Sequence, residues 1–215
     1  MLTIEKIKIY NKFGGDVDGF ARGGKSSEQN LIGDNDWSLI DEFEQDTKLI
    51  SDRLVSREYR ESALNKLNEK CDTETLKYFT SKIPFYSDFK KVSEIIGDIK
   101  SRINDKTDTV WAGFDNIEVL TKELDSDQKQ IEILDFETLE KIMVEFLPTS
   151  TYQELAMSNG WSEEYLQIAE KFDSIHKRIK EKLLTTTYKN NDGNSAKTKD
   201  SNNNKFWSKL KNLWS

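Results

Sequence analysis

The spacing of apolar residues between Asp36 and Leu184 restricts this chain to helical folds. Apolar side chains recur there every three or four positions, which places them along one face of an α-helix. Many of these runs begin at a residue that can cap a helix, and Pro84 and Pro148 interrupt the pattern. No run is apolar on all sides, so each helix is expected to contact both the core and water. The pattern predicts a mainly α fold, an irregular bundle of seven or eight helices.

The predicted helices are separated by short polar or proline-containing segments, including a polar connection over residues 125–129. Asp36, Ser56, Asp72 and Asp135 are predicted to cap the helices that follow them, since their side chains can accept hydrogen bonds from orphan backbone N–H groups. Ser87 is predicted to open the helix over 87–103. The predicted ranges are 36–54, 56–71, 72–83, 87–103, 107–124, 135–146, 151–158 and 162–184.

Three of the five tryptophans lie in this helical region. Trp37, Trp111 and Trp161 each begin or interrupt an apolar stripe, and we predict that they anchor the core. With 215 residues the chain is long enough for one sizeable core. One acidic helical domain is therefore predicted over residues 1–184, with its helices in 37–184.

The first 36 residues are predicted to form a short strand and a long loop. Residues 2–10, LTIEKIKIY, alternate apolar and charged side chains, which predicts one strand, although the spacing of Ile4 and Ile7 also permits a helix. Residues 11–36 contain most of the ten glycines. A loop of this length in a compact domain is usually functional or disordered.

The C-terminal part of the chain is predicted to be a linker followed by a short amphipathic helix. Residues 185–204 contain almost no apolar side chains and cannot bury enough surface to order themselves. Residues 205–215, KFWSKLKNLWS, place aromatic and aliphatic side chains on one helical face and lysines around it. Such a segment suits a groove on its own domain, a partner protein or a membrane surface. Its predicted binding residues are Phe206, Trp207, Lys209, Leu210, Lys211, Leu213 and Trp214.

Charge is distributed unevenly along the chain. The net charge is −7, and residues 185–215 contain six lysines and two aspartates, so residues 1–184 carry −7 − 4 = −11. An acidic domain repels phosphate backbones, and nucleic acid is therefore not a predicted ligand. The same charge attracts basic proteins and accelerates their association.

One segment matches the phosphate-loop pattern GxxxxGK[ST] at Gly19, Gly24, Lys25 and Ser26. In such loops backbone N–H groups surround the phosphates, the lysine contacts the outer phosphates and the hydroxyl binds magnesium. The pattern requires a buried strand before it and an apolar helix after it, and both flanking segments here are polar and glycine-rich. A nucleotide-binding enzyme is kept as an alternative, and no cofactor is predicted.

The chain offers few residues for catalysis or metal binding. Cys71 is the only cysteine and His176 the only histidine, and together they cannot form a structural zinc site. Neither residue lies in a nucleophile motif. We predict no catalytic and no metal-binding residues, which favours a non-enzymatic role without deciding the question.

Targeting features also inform the predicted location. A single cysteine fits a reducing compartment, and neither a secretory signal nor an apolar stretch long enough to cross a membrane is evident. The sequence predicts a cytoplasmic protein, with peripheral membrane contact through residues 205–215 as a variant.

Residues 151–172 resemble a helix-turn-helix motif, with Ala156 at the helix crossing and Gly160 in the turn. The motif also expects Leu166 and Ala169 to face inward. The second helix is acidic rather than basic, whereas base and phosphate contacts require Arg, Lys, Asn or Gln. The segment is therefore predicted to be a packing corner between two helices.

The composition of the chain, which is acidic, rich in lysine and asparagine and without a catalytic set, resembles that of bacterial proteins that act by binding, among them immunity proteins that neutralise toxins. The resemblance implies a non-catalytic protein whose acidic helical surface docks a basic partner. That partner would be a toxin or a phage or host factor, and the protein an immunity protein or a phage or defence accessory factor. The alternative is a peripheral membrane protein held by residues 205–215.

Overall fold

A computed structural model of the protein describes residues 1–13 and 31–191, with side chains described as far as residue 184. These residues form nine helices and no β-strand, which confirms the mainly α fold for this part of the chain. In order they are α1 (Ile4–Lys12), α2 (Asp34–Leu49), α3 (Arg57–Lys70), α4 (Thr73–Lys82), α5 (Tyr86–Ser101), α6 (Ile117–Glu132), α7 (Phe136–Glu145), α8 (Thr151–Ser158) and α9 (Ser162–Asn191).

Contacts divide the chain into two units. The first, Met1–Lys177, contains α1 to α8 and the beginning of α9. The second, Arg178–Ser215, is described only to Asn191, and over that range it is the rest of α9. The helix thus continues beyond its predicted end at Leu184 into residues 185–191, which were predicted as linker. The rest of the linker and the predicted tail helix lie outside the described residues.

The strand predicted over residues 2–10 is wrong, because α1 occupies nearly all of this range. Only Leu2 takes part in a bridge: its N–H donates to the carbonyl of Lys70 at 2.7 Å, and its carbonyl accepts from the N–H of Asp72 at 3.1 Å. A helix satisfies its own backbone groups, whereas a lone strand needs a neighbouring strand, and the described chain contains none. The helical spacing of Ile4 and Ile7 therefore outweighs the alternation.

The helix caps at Ser56, Asp72 and Asp135 are confirmed. Each side chain accepts a hydrogen bond from the backbone N–H three residues further on, as a capping residue does. The boundaries of α2 differ from the prediction, since this helix begins at Asp34 and ends at Leu49, so Asp36 lies inside the helix and does not cap it. Ser87 likewise lies inside α5, which begins at Tyr86. The predicted loop 11–36 overlaps α1 at residues 11–12 and α2 at residues 34–36, and its residues 14–30 lie outside the described part.

The prediction of one helix over 107–124 and a polar connection over 125–129 is wrong. Asn116 caps α6 by accepting a hydrogen bond from the N–H of Val119 at 2.9 Å, so the helix begins at Ile117. It then runs through the polar residues 125–129 to Glu132. Asp127 within that stretch is buried and accepts a hydrogen bond from Lys141 Nζ on α7 at 2.9 Å. A buried, paired carboxylate resembles a solvent-exposed one in sequence, which explains the error.

Stacked and edge-on aromatic rings contribute much of the core of the first unit. Phe43 on α2 meets Phe79 on α4 edge-on, with ring centroids 5.3 Å apart. Phe146, just after α7, stacks on Phe172 of α9 at 4.4 Å. Such pairs stabilise a core beyond the area that they bury. Trp37 and Trp161 are buried as predicted.

A buried carboxylate joins α3 to α7. Asp135, only 3% exposed, caps α7 and accepts two hydrogen bonds from Arg57, at 3.0 Å to Nε and 3.0 Å to Nη2. Arg60 is also buried, with Nη1 3.7 Å from Asp135 Oδ1, and it donates to the carbonyl of Asp52 at 2.9 Å. Burial by itself would raise the pKa of Asp135. Hydrogen bonds from Thr138 and the Arg57 guanidinium outweigh burial and hold this pKa below its usual value.

We expect Asp135→Ala to lower the free energy of unfolding by about 3–5 kcal/mol, because it leaves the guanidinium of Arg60 buried without its carboxylate partner. Asp72→Ala is the matched control, since Asp72 caps α4 in the same way but contacts no arginine. The control should destabilise clearly less in urea unfolding at neutral pH. Equal losses for the two variants would show that Asp135 acts only as a cap.

The pH dependence of this difference follows from the sign of the pKa shift. A carboxylate whose pKa is lowered by folding stabilises the protein above its unfolded pKa, and this contribution is lost as pH falls through the folded pKa. The gap between the wild type and Asp135→Ala should therefore be constant above a pH of about 4 and narrow below it. A gap that widened on acidification would contradict the assignment.

Candidate interaction surface

The residues that the sequence singles out for binding lie outside the described part of the chain. They are Gly19, Gly24, Lys25 and Ser26 of the phosphate-loop match, and Phe206, Trp207, Lys209, Leu210, Lys211, Leu213 and Trp214 of the C-terminal segment. Nucleotide binding at the first group and partner or membrane binding at the second stay predictions. The candidate surface must therefore be built from other residues.

Of the two residues considered for catalysis, Cys71 is buried and His176 is partly buried. Burial, followed by the nearby Asp72 carboxylate, raises the pKa of the Cys71 thiol to about 11, so this side chain is protonated at neutral pH and a weak nucleophile. His176 stacks on Phe172, and its Nε2 lies 3.6 Å from Glu140 Oε2. Across the described residues, no cluster of three or more His, Cys, Asp or Glu side chains is arranged to hold a metal ion.

An exposed apolar pair marks the segment between α5 and α6. Val110 is 75% exposed and the neighbouring Trp111 is 71% exposed. The prediction that Trp111 anchors the core is therefore wrong. The sequence does contain the signal for a loop here, because Asn104, Asp108, Gly113 and Asn116 are all turn or capping residues. We refer to residues 104–116 as the Trp111 loop.

A tight turn fixes the direction of the two side chains. The N–H of Phe114 donates to the carbonyl of Thr109 at 3.1 Å, and Thr109 Oγ1 donates to the carbonyl of Phe114 at 3.0 Å. Gly113 adopts a φ of 82°, which favours glycine. Thr109 and Ala112 are buried on either side of the exposed pair. The backbone therefore holds Val110 and Trp111 outward at the tip of a closed turn.

A side-chain amide fastens this turn to the corner between α8 and α9. Asn159 Oδ1 accepts from the N–H of Asp108 at 2.7 Å, and Asn159 Nδ2 donates to the carbonyl of Asp108 at 2.8 Å. The same Nδ2 donates to the carbonyl of Leu155 on α8 at 2.8 Å. One amide thus ties the loop backbone to a helix end.

Arg102, two residues before the Trp111 loop, meets the same corner. Its guanidinium carbon lies 5.4 Å from the ring centroid of Trp161, which precedes α9. Within the loop, Asn104 Oδ1 accepts from the N–H of Lys106, and Thr107 Oγ1 accepts from the N–H of Asn104. The loop is therefore held by Asn159 and by its own hydrogen bonds, and the chain just before it is held by Arg102.

The corner between α8 and α9, to which the loop is attached, has a defined backbone. Gly160 has a φ of 77°, which permits the turn between α8 and α9, and Ala156 is buried, as predicted for this segment. Leu166 was expected to face inward but is 66% exposed, because Tyr165 and Ile168 take the buried positions instead.

Carboxylates flank the exposed pair in the sequence. Asp105, Asp108, Asp115 and Glu118 are all exposed, whereas Lys106 is the only basic residue over 104–118. None of these four carboxylates forms an ion pair with another described residue. The side chain of Asp108 accepts a hydrogen bond from the N–H of Val110 at 3.0 Å, so one carboxylate lies at the backbone of the tip.

Carboxylates on the helices form ion pairs with basic side chains more often than those of the loop do. Glu42 lies 2.5 Å from Lys66 Nζ, and Glu44 lies 2.6 Å from Lys82 Nζ. The Trp111 loop thus presents uncompensated negative charge beside an exposed indole. This combination can attract a cation and offer it an aromatic face.

Comparison with known proteins assigns no family to the chain. No protein-family model matches it, and neither the curated proteins nor the solved structures include a significant match. In the described part of the chain, no helix combines the length and apolarity needed to cross a membrane.

We expect Asn159→Ala to loosen the Trp111 loop without unfolding the protein. The change removes two hydrogen bonds to Asp108, each worth about 1 kcal/mol, so amide exchange over 105–115 should accelerate at least about tenfold. Asn68→Ala is the control, because Asn68 donates a comparable bond to the carbonyl of Leu64 far from the loop in sequence. Hydrogen–deuterium exchange measures both variants. Unchanged protection at Asp108 in Asn159→Ala would show that the loop does not depend on this anchor.

Proposed function

We propose that this protein acts without catalysis, by binding a second protein through an acidic surface that includes the Trp111 loop. The observation that carries the proposal is the exposure of Val110 and Trp111 on an anchored loop bordered by carboxylates that pair with no other described residue. Exposed tryptophans at fixed positions are frequent anchors of protein interfaces. Because the closed turn already holds Val110 and Trp111 outward before binding, these side chains lose little conformational entropy when a partner binds.

The partner in this proposal is basic. Residues 1–184 carry −11, and the loop adds a local excess of three negative charges over 104–118, from Asp105, Asp108, Asp115, Glu118 and the single Lys106. Opposite charges steer association and raise its rate, and a basic surface gains most from such a field. An anionic membrane or a phosphate backbone would be repelled by the same surface.

In its narrower form, the proposal is a cytoplasmic bacterial immunity protein that neutralises a toxin, or a phage or defence accessory factor. The composition of the chain and its acidic surface support this form. Residues 205–215 would then supply a second contact with the partner. Membrane attachment through these residues, and nucleotide binding at 19–26, are the competing functions that the experiment below must separate.

We expect the immobilised protein to capture a basic protein at low salt and to release it at high salt, since screening weakens contacts between exposed charges. The captured protein is then purified, and its affinity for the full chain is measured directly. A loop-neutralised variant, Asp105→Asn with Asp115→Asn and Glu118→Gln, should bind it about tenfold more weakly. Glu5→Gln with Glu61→Gln and Glu69→Gln is the control of equal charge change, because these glutamates are exposed on α1 and α3.

Three results would overturn the proposal. The purified partner could bind with no dependence on salt, or the loop-neutralised and control variants could bind it equally well. In the third case no protein binds, whereas anionic vesicles or a nucleotide do. Removal of residues 205–215 separates the vesicle result from the nucleotide result, because only vesicle binding depends on that segment.

A further inference from the structure

We infer that Trp111 and its neighbouring carboxylates form a receptor for an arginine side chain of the partner, with the guanidinium over the indole face. The inference rests on the proposed function and specifies its chemistry. It names the group on the partner that the Trp111 loop recognises, rather than only the sign of the partner's charge.

The Trp111 indole is open to solvent. Trp111 is 71% exposed, and no other described aromatic ring or cation contacts it. Indole is the aromatic side chain that attracts cations most strongly, because its face carries the negative part of the ring quadrupole. An exposed tryptophan held outward by a closed turn is thus a ready surface for a cation.

Negative charge accompanies Trp111 in residues 105–118. The carboxylate of Asp108 accepts from the N–H of Val110 at 3.0 Å, which puts it at the tip itself. Asp105 and Asp115 flank the turn in sequence, and Glu118 lies in the first turn of α6. A cation at the exposed ring would therefore lie in a segment that contains four carboxylates, whose oxygens are strong acceptors for guanidinium N–H groups. The apolar side chain of Val110 suits the methylene stem of an arginine.

Both kinds of cation already lie over aromatic rings in the described chain, and Lys82 Nζ lies 4.1 Å from the ring centroid of Tyr78. Arg102 lies over Trp161 at 5.4 Å, and its Nη2 is 3.3 Å from Asp98 Oδ1. Arg53 lies 5.1 Å from the ring centroid of Phe136. The planar, weakly hydrated guanidinium stacks on rings and forks onto carboxylates, whereas the lysine ammonium is more strongly hydrated. Arginine is accordingly the better fit to Trp111.

The test uses the full chain and three labelled peptides of the same length, in which alternate positions are arginine, lysine or citrulline. Citrulline keeps the shape of arginine without its charge. In fluorescence anisotropy at low salt, we expect the arginine peptide to bind best, the lysine peptide more weakly and the citrulline peptide not detectably. Trp111→Ala should weaken the arginine peptide about five- to tenfold, and Trp111→Phe should lie between the two.

Leu54→Ala is the matched control, because Leu54 is 94% exposed but lies between α2 and α3, away from the carboxylate cluster in sequence. Thermal unfolding checks that all variants are folded. The indole N–H signal of Trp111, identified by its loss in Trp111→Phe, should shift on addition of the arginine peptide. A shift confined to the other tryptophan signals would contradict the inference.

The failures of the two proposals are distinguishable. If the loop-neutralised variant loses the purified partner while Trp111→Ala keeps both the partner and the arginine peptide, the acidic surface stands and the arginine receptor is refuted. If the arginine and citrulline peptides bind equally and both depend on Trp111, the indole enters an apolar pocket instead, and the inference is again refuted. Failure of the arginine peptide to bind at all would likewise refute it.

Discussion

The buried carboxylate of Asp135 is the interaction on which much of the arrangement of the described helices depends. It caps α7 and at the same time takes the guanidinium groups of Arg57 and Arg60 from α3. A carboxylate that is 3% exposed is stable only when it is paired and hydrogen-bonded. Here the N–H and hydroxyl of Thr138 and the guanidinium of Arg57 donate to Asp135, and Arg60 Nη1 lies 3.7 Å away. The cluster thus joins α3 to α7, and loss of Asp135 would leave the buried Arg60 without its carboxylate.

The sequence predicts those features of the fold that are local. Caps at Ser56, Asp72 and Asp135 are visible because a capping side chain acts within three residues of itself. The strand predicted over residues 2–10 and the connection over 125–129 fail because their state depends on distant partners. Asp127 is buried inside α6, where Lys141 of the next helix pairs with its carboxylate. Polarity alone does not reveal such a pairing, and a single sequence contains no direct signal for it.

The candidate surface was not predicted, and the reason is again physical. Trp111 continues an apolar stripe with Phe114, Ile117 and Leu120, so its spacing fits a helix. Asn116 instead caps the beginning of α6, and the left-handed backbone of Gly113 keeps the preceding residues out of the helix. Local turn chemistry thus turns a residue that fits the core pattern into an exposed one. The binding residues that the sequence did indicate, at 19–26 and 205–215, fall outside the described part and stay predictions.

Trp111 is exposed, unlike the tryptophans of the core. Burying an indole is favourable, and the described chain buries Trp37 and Trp161. Asp105, Asp108 and Asp115 add three negative charges within the loop, while Glu42 and Glu44 on α2 have lysine partners. Two hydrogen bonds from Asn159 hold the backbone of Asp108, so an anchored turn presents the exposed indole. Exposed apolar area, negative charge and an anchored backbone coincide in one short segment, which is the physical reason to look for the partner at this loop.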